Sequence, residues 1–316
     1  MHSEVTTERA TRSSEVEAAA PPGPSPREDK PSELRCPAFG QGVSLGVARV
    51  PGLIEASGLA ASRRQPHVLW VHNDSGDRPR VFAMSEQGQY LGTVVLRGAE
   101  AVDWEDIGLD LGAERDALLV ADTGDNNEQR ATVTIYRFPE PLVSDLDPRQ
   151  VVETTAAAVT VKYPDRPHDA EAIFSDPLTG DIVIITKERA GPSLVFTLPR
   201  RVFDFGQETA AATQVAAFDI EGVLPGARLA TAADISPDGL RLLVRTYTGA
   251  HLWMRRPGEA LGAVFAREPC AVPTMLEPQG ESVAFVKGGR GYLTLSEGQE
   301  QPIWFFQETN DASTSR

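Results

Sequence analysis

Three short acidic segments share one spacing. Asp103-Trp104-Glu105-Asp106, Asp169-Ala170-Glu171-Ala172 and Gln279-Gly280-Glu281 each set a glutamate two residues before an apolar residue, Ile107, Ile173 or Val283. Glutamate is a poor turn former, so capping of turns does not explain this recurrence. Two chemistries fit it. A ring of carboxylate and amide oxygens suits a hard cation, and Ca2+ takes six to eight such ligands. The ligand set expected here is Asn73, Glu105, Asp122, Glu171 and Glu281. Lys187 and Arg245 bring positive charge of their own, which suits a small polar or anionic ligand held by basic groups and oriented by carboxylates. Glu188, Tyr247, Glu297 and Trp104 stand nearby in the repeat and join that ligand-binding group. A metal beside an anion clamp is the arrangement of a Ca2+-dependent hydrolase of esters, lactones or phosphoesters. No catalytic residue is assigned; His72, His168 and Glu171 are the candidates for a base. The competing reading is a scaffold without enzymatic activity, which would use the same rim to bind a peptide or protein.

The elements that must position these residues are short strands in a repeated plan. Strand one begins at or just after the acidic segment. Strand two is apolar and ends in polar residues, as in Leu118-Leu119-Val120-Ala121 followed by Asp122-Thr123-Gly124-Asp125-Asn126. Strand three alternates, and a fourth follows. Leu59, Ile107, Ile173, Ile235 and Val283 mark five such units, separated by 48, 66, 62 and 48 residues. A four-stranded unit repeated this way predicts an all-β fold, a single β-propeller. Five blades are expected, or six if the longer steps hide a degenerate one; a β-sandwich is the rival architecture. Fourth strands are expected at Val151–Lys162 and Ala263–Ala266. The last unit has three strands, and Gly42–Val50 is an orphan that would complete it and close the ring. Strand one would line the channel, so the residues before it and those after strand two converge on one mouth. There stand Glu55, Asp103, Glu105, Asp169, Glu171, Asp234 and Glu281, facing Asn73, Asp74, Asp122, Asp125, Lys187, Arg245, Tyr247 and Glu297. Turn capping accounts for Asp74, Asp125 and Asp234 taken singly.

The short motifs resemble those of a bacterial β-propeller family of the NHL, YWTD and WD40-like group, over roughly residues 40–307. The resemblance implies the fold. By analogy, propellers of the gluconolactonase and paraoxonase kind hold Ca2+ in the channel with Glu, Asn and Asp ligands. The Gly-His and Trp-Asp pairs of true WD40 repeats are missing.

The 316 residues are 41% hydrophobic, with 45 acids against 30 bases and a net charge of −15. That balance disfavours nucleic acid and anionic membrane as partners, and a monomer is expected. Residues 1–38 are polar and Pro-rich and read as a disordered tail, with the propeller at 39–308 and a second tail at 309–316. No apolar run is long enough to span a membrane. As written, the start implies the cytoplasm; a start farther upstream would make the tail a linker behind a signal or lipid anchor. The two cysteines, Cys36 and Cys270, either pair or are separate buried thiols. Placing Cys36 before the outer strand of blade five and Cys270 before its inner strand sets them at opposite rims.

Overall fold

The structure, a computed structural model, describes residues 1–2, 34–110, 116–204 and 209–309. Most of the expected tails, 3–33 and 310–316, lies outside the described residues. The fold begins at Leu34.

Five small sheets, antiparallel but for one added parallel strand in each of two, form five blades. Their inner strands are Ala56–Ala61, Trp104–Asp110, Ala170–Ser175, Ala230–Ile235 and Gly280–Phe285. Each packs against the next, and the last packs against the first, so the ring is closed. Second strands, such as Val68–Asn73 and Gly291–Ser296, are buried along their whole length. That follows from their sequence: a strand covered on both faces is a continuous apolar run rather than an alternating one. Five apolar clusters fill the spaces between neighbouring blades. Trp70 and Phe138 pack between blades one and two. Phe218, Trp253 and Phe265 pack between three and four. Each large side chain so buried contributes about 1.5–3 kcal/mol.

The ends of the chain close the ring. Val43–Val47 pairs antiparallel with Pro302–Thr309, the third strand of blade five, as expected for the orphan strand. Ala38–Phe39 extends the same edge, pairing with Thr309 and Glu308. The Cys36–Cys270 disulfide forms. The rim argument against it rested on a misplaced strand. Cys270 opens Cys270–Val272, the outer strand of blade four, not the approach to blade five. That strand packs in the cluster shared with blade five, beside Phe39.

Two further strand assignments are corrected. Val151–Lys162 is two strands: Ala157–Lys162 completes blade two, while Val151–Thr155 pairs parallel with Tyr90–Arg97 of blade one. The expected strand at Ala263–Ala266 overlaps a helical turn, Leu261–Val264. Its short apolar run satisfies either period, and burial of Leu261, Val264 and Phe265 against Trp253 selects the helix. The long steps thus hold added strands rather than a sixth blade; Thr209–Ala211 likewise adds parallel to blade two.

Candidate metal centre at the channel mouth

The pairing of strands one and two builds the mouth. In every blade the first residue of strand one pairs with the polar residue that ends strand two. These pairs are Ala56 with Asn73, Trp104 with Asp122, Ala170 with Thr186, Ala230 with Thr246, and Gly280 with Ser296. Directly after each pair the register shifts by one residue. The extra residue of each bulge is Glu105, Glu171, Thr231 or Glu281, and in blade one it falls at Ser57-Gly58. A bulge re-aims a side chain out of the alternation of its strand. This is the physical content of the repeated glutamate: the same irregularity, at the same rim, in three blades.

In blades one and four the bulge hydroxyls serve the ring instead. Ser57 Oγ donates to the Glu105 carbonyl oxygen at 2.5 Å, and Thr231 Oγ1 to that of Gly280 at 2.9 Å. The three glutamates are buried, each at most 5% exposed. The carboxylate oxygens of Asp74, Asp103 and Glu105 lie within 4.8 Å of one another, as do those of Glu105, Asp169 and Glu171. Glu105 belongs to both groups. Asp169 Oδ1 accepts from the Asp125 N–H at 2.9 Å, whereas Oδ2 is buried and accepts no hydrogen bond. Lys187 Nζ contacts Glu171 Oε1 and lies 3.8 Å from Asp169 Oδ2. On the far side of the mouth Tyr247 and Glu297 hydrogen-bond Glu281. Gly124 covers the Glu105 side. A Cβ there would stand 2.1 Å from Glu105 Oε1 and 2.6 Å from an oxygen of Asp103, so any larger residue would push these two carboxylates aside.

Crowding sets the protonation of the mouth. Burial pushes Asp74 up to about 6, with Asp103 and Glu281 adding repulsion. Burial and then Asp169 raise Asp103. Burial, Asp74 and Asp103 raise Glu105 well above the usual carboxylate range. Burial and the hydrogen bond to Glu281 push Glu297 up to about 9. A bound cation would relieve all four at once.

The structure gathers Glu105, Glu171, Glu281, Lys187, Tyr247 and Glu297 at this mouth. It also brings in Asp74, Asp103 and Asp169, which sequence reasoning set at the rim without assigning them as ligands. Their signal was position: each flanks strand one or strand two beside a bulge. Other expected site residues are engaged elsewhere. Asn73 Oδ1 accepts from the Ile54 and Glu55 N–H groups at 2.8 and 3.1 Å, and its amide donates to Gly52 O and Asp77. Asp122 does the same in blade two, accepting from Val102 and Asp103 N–H and from Arg130. Both side chains fix the entry to strand one, as Ser296 Oγ does in blade five by accepting from Gln279 N–H; in blades three and four Thr186 and Thr246 accept instead from Leu194 and Gly249 N–H, in the turn that leads to strand three. Arg245 is buried beneath Gly280 and paired with Glu277. Trp104 packs in the layer between blades one and two and donates to Glu100 O at 2.8 Å. His72 lies edge-on to it, wholly buried, and burial pulls its imidazole down to about 4. His168 bonds Glu188 and Asp165; burial lowers its pKa, but these two partners outweigh it and raise it overall. Glu188 also holds Arg166 at 2.8 Å.

Asp234 is not at this mouth. It accepts from Phe285 N–H at 2.7 Å and meets Arg63, which also donates to the carbonyl oxygens of Ile235, Phe285 and Val286. These residues end inner strands or, for Val286, directly follow one, so Arg63 spans the opposite end of the channel. Asp106, wholly buried, accepts from Ile107 and Ile173 N–H between the two ends.

The chain is therefore a five-bladed β-propeller whose buried acidic groups at one channel mouth could hold a metal ion. No family model matches it, and no curated protein does. Among solved structures it is similar to a nidogen/laminin complex, at 12% identity and a TM-score of 0.43 over 77% of this chain and 73% of that one. It is similar also to the WD40 repeats of RRP9, at 13% identity and a TM-score of 0.39 over 80% of this chain and 67% of that one.

Proposed function

We propose that the mouth binds a divalent cation, Ca2+ before others, through Asp74, Asp103 and Glu105, and that the ion presents itself to a small polar or anionic ligand. The observation that carries this reading is the group of Asp74, Asp103 and Glu105, whose carboxylate oxygens lie within 4.8 Å of one another and share Glu105 with a second such group. The donors are all oxygens, which suits Ca2+ over softer metals. Asp74 is partly exposed, so solvent or a ligand oxygen can complete the coordination.

Hydrolysis of an ester, lactone or phosphoester is the reaction such a centre supports, with the ion polarising the oxygen under attack. Glu297, protonated at neutral pH, would then supply a proton to the leaving oxygen. His72 and His168 are too enclosed by their partners to act as the base. Calorimetric titration with Ca2+ tests the first step: micromolar binding is expected in the wild type and none in Glu105→Gln. Absence of Ca2+, Mg2+ and Mn2+ binding to the wild type would sink the reading.

One observation favours a second reading, a docking platform for a protein. Ile54, Val102, Val223, Leu224 and Leu276 are exposed side chains in connectors leading to inner strands, and so belong to the same rim. Exposed apolar residues around a charged centre mark interaction sites. A pull-down with wild type and a Val223→Ser/Leu224→Ser/Leu276→Ser variant separates the two readings, because Ca2+ binding would survive the triple change and partner retention would not.

A further inference from the structure

We propose that the Lys187 ammonium occupies one of two cation positions in the mouth, so that the protein takes a single metal ion, at Asp74, Asp103 and Glu105. This rests on the metal reading above and assigns its stoichiometry and its second half.

The two carboxylate groups have the same form: three acids, mutual oxygen separations within 4.8 Å, and Glu105 in common. They differ in what stands among them. The second group, Glu105, Asp169 and Glu171, already contains Lys187 Nζ, against Glu171 and 3.8 Å from Asp169 Oδ2. No such cation contacts the carboxylates of Asp74 or Glu105 among the described residues. Lys187 is held there by more than its charge. Its N–H donates to the Asp169 carbonyl oxygen at 2.8 Å, fixing the turn after Ile182–Thr186, and the Tyr247 ring stands 5.9 Å from Nζ. The side chain is buried, as are all three acids. An ammonium donates to oxygens at about 2.8 Å and Ca2+ binds them at about 2.3–2.6 Å, so both fit among oxygens this close and neither admits the other. A buried ammonium must be paired, and the Asp169 oxygen without a hydrogen bond faces it.

Lys187 therefore does in blade three what a second ion would do. It neutralises part of the cluster without being lost to chelators and leaves Glu105 available to the metal on its other side. The consequence is specific: removing the ammonium opens a second position.

Native mass spectrometry in a Ca2+ series counts the ions directly. One Ca2+ is expected per wild-type chain, one for Lys187→Arg, which keeps a tethered charge, and two for Lys187→Met. Asp103→Asn provides a second arm should Lys187→Met not fold. It removes a ligand of the single site and leaves the lysine's contacts, so no bound Ca2+ is expected. A Lys187→Met chain that folds and still binds one ion overturns the proposal. So does an Asp103→Asn chain that keeps its ion at wild-type affinity, since the metal would then sit on the lysine side. A wild type that binds none removes the metal reading itself, a result distinct from both.

Discussion

Glu297→Gln isolates the electrostatic state of the mouth. In the fold the Glu297 carboxyl is pushed up to about 9, first by burial and then by its hydrogen bond to Glu281. In the unfolded chain it titrates near the ordinary glutamate value, about 4.3. The sign follows: a carboxyl with a raised folded pKa favours the native state only below its unfolded pKa, and its cost grows as pH rises toward the folded value. At pH 7 that cost is at most about 3–4 kcal/mol for one proton held through about 2.7 pH units. Glu297 is only half-buried, so solvent screening reduces this to about 1–2 kcal/mol. Glutamine copies the protonated form and can still donate to Glu281. The variant should match wild type near pH 4.5 and exceed it by about 1–2 kcal/mol at pH 7, or roughly 3–6 °C in Tm. Differential scanning calorimetry in EDTA, at intervals from pH 4.5 to 8.5, measures the difference curve. Comparing the two proteins cancels the histidines, whose effects oppose each other: His72 is lowered and His168 raised. A difference that stays flat with pH, or a variant less stable than wild type at pH 8, would refute the reasoning.

Gly124→Ala should lower Ca2+ affinity about tenfold or more with little loss of folded protein, because the added methyl displaces Glu105 and Asp103 together; calorimetric titration checks it. Asn73→Ala should do the reverse, costing about 2–4 kcal/mol in urea unfolding by leaving the Ile54 and Glu55 N–H groups unpaired while Ca2+ affinity holds. Loss of the ion in a folded Asn73→Ala chain would make Asn73 a ligand after all. Reducing Cys36–Cys270 releases a closure spanning 234 residues, worth up to about 5 kcal/mol in chain entropy. Paired strands also close the ring, so a Tm drop of roughly 5–10 °C is expected on reduction; an unchanged Tm would show that the strands alone suffice.

The ring was legible because each blade announces itself by an apolar second strand with a polar end, and because Val43–Val47 had no other sheet to complete. What the period could not carry were its exceptions. Val151–Lys162 looks like one long strand, yet it crosses from blade one to blade two at Ala156, a change of partner that leaves no mark on alternation. Leu261–Val264 is too short for helical and extended periods to differ. At the site the repeated glutamates were legible by register, whereas the division between ligand and cap was not. Asn73, Asp74, Asp103 and Asp122 are all polar residues at strand ends. The backbone N–H groups of Ile54, Glu55, Val102 and Asp103 go to Asn73 and Asp122 and so mark these two as caps, whereas Asp74 accepts only from its neighbour Ser75 among the described residues.

The bulge resolves that ambiguity into a rule for this fold. The residue paired across the rim before the bulge, Asn73 or Asp122, faces the connector and satisfies its backbone. The bulge residue itself leaves the alternation. Where it is Ser57 or Thr231, its short hydroxyl reaches the next blade's carbonyl oxygen and ties two blades together. A glutamate is too long to make that tie, so Glu105, Glu171 and Glu281 carry their charge into the mouth instead. Blades two and five compensate by other means: Thr123 Oγ1 of blade two donates to Ala170 O at 2.6 Å, and Ser282 Oγ of blade five donates to Ser57 O at 2.6 Å. Four of the five blade junctions thus carry a hydroxyl tie among the described residues, while the mouth concentrates like charges that no turn, strand or core position requires. Their mutual repulsion has no structural use, and that is the physical ground for expecting a cation among them.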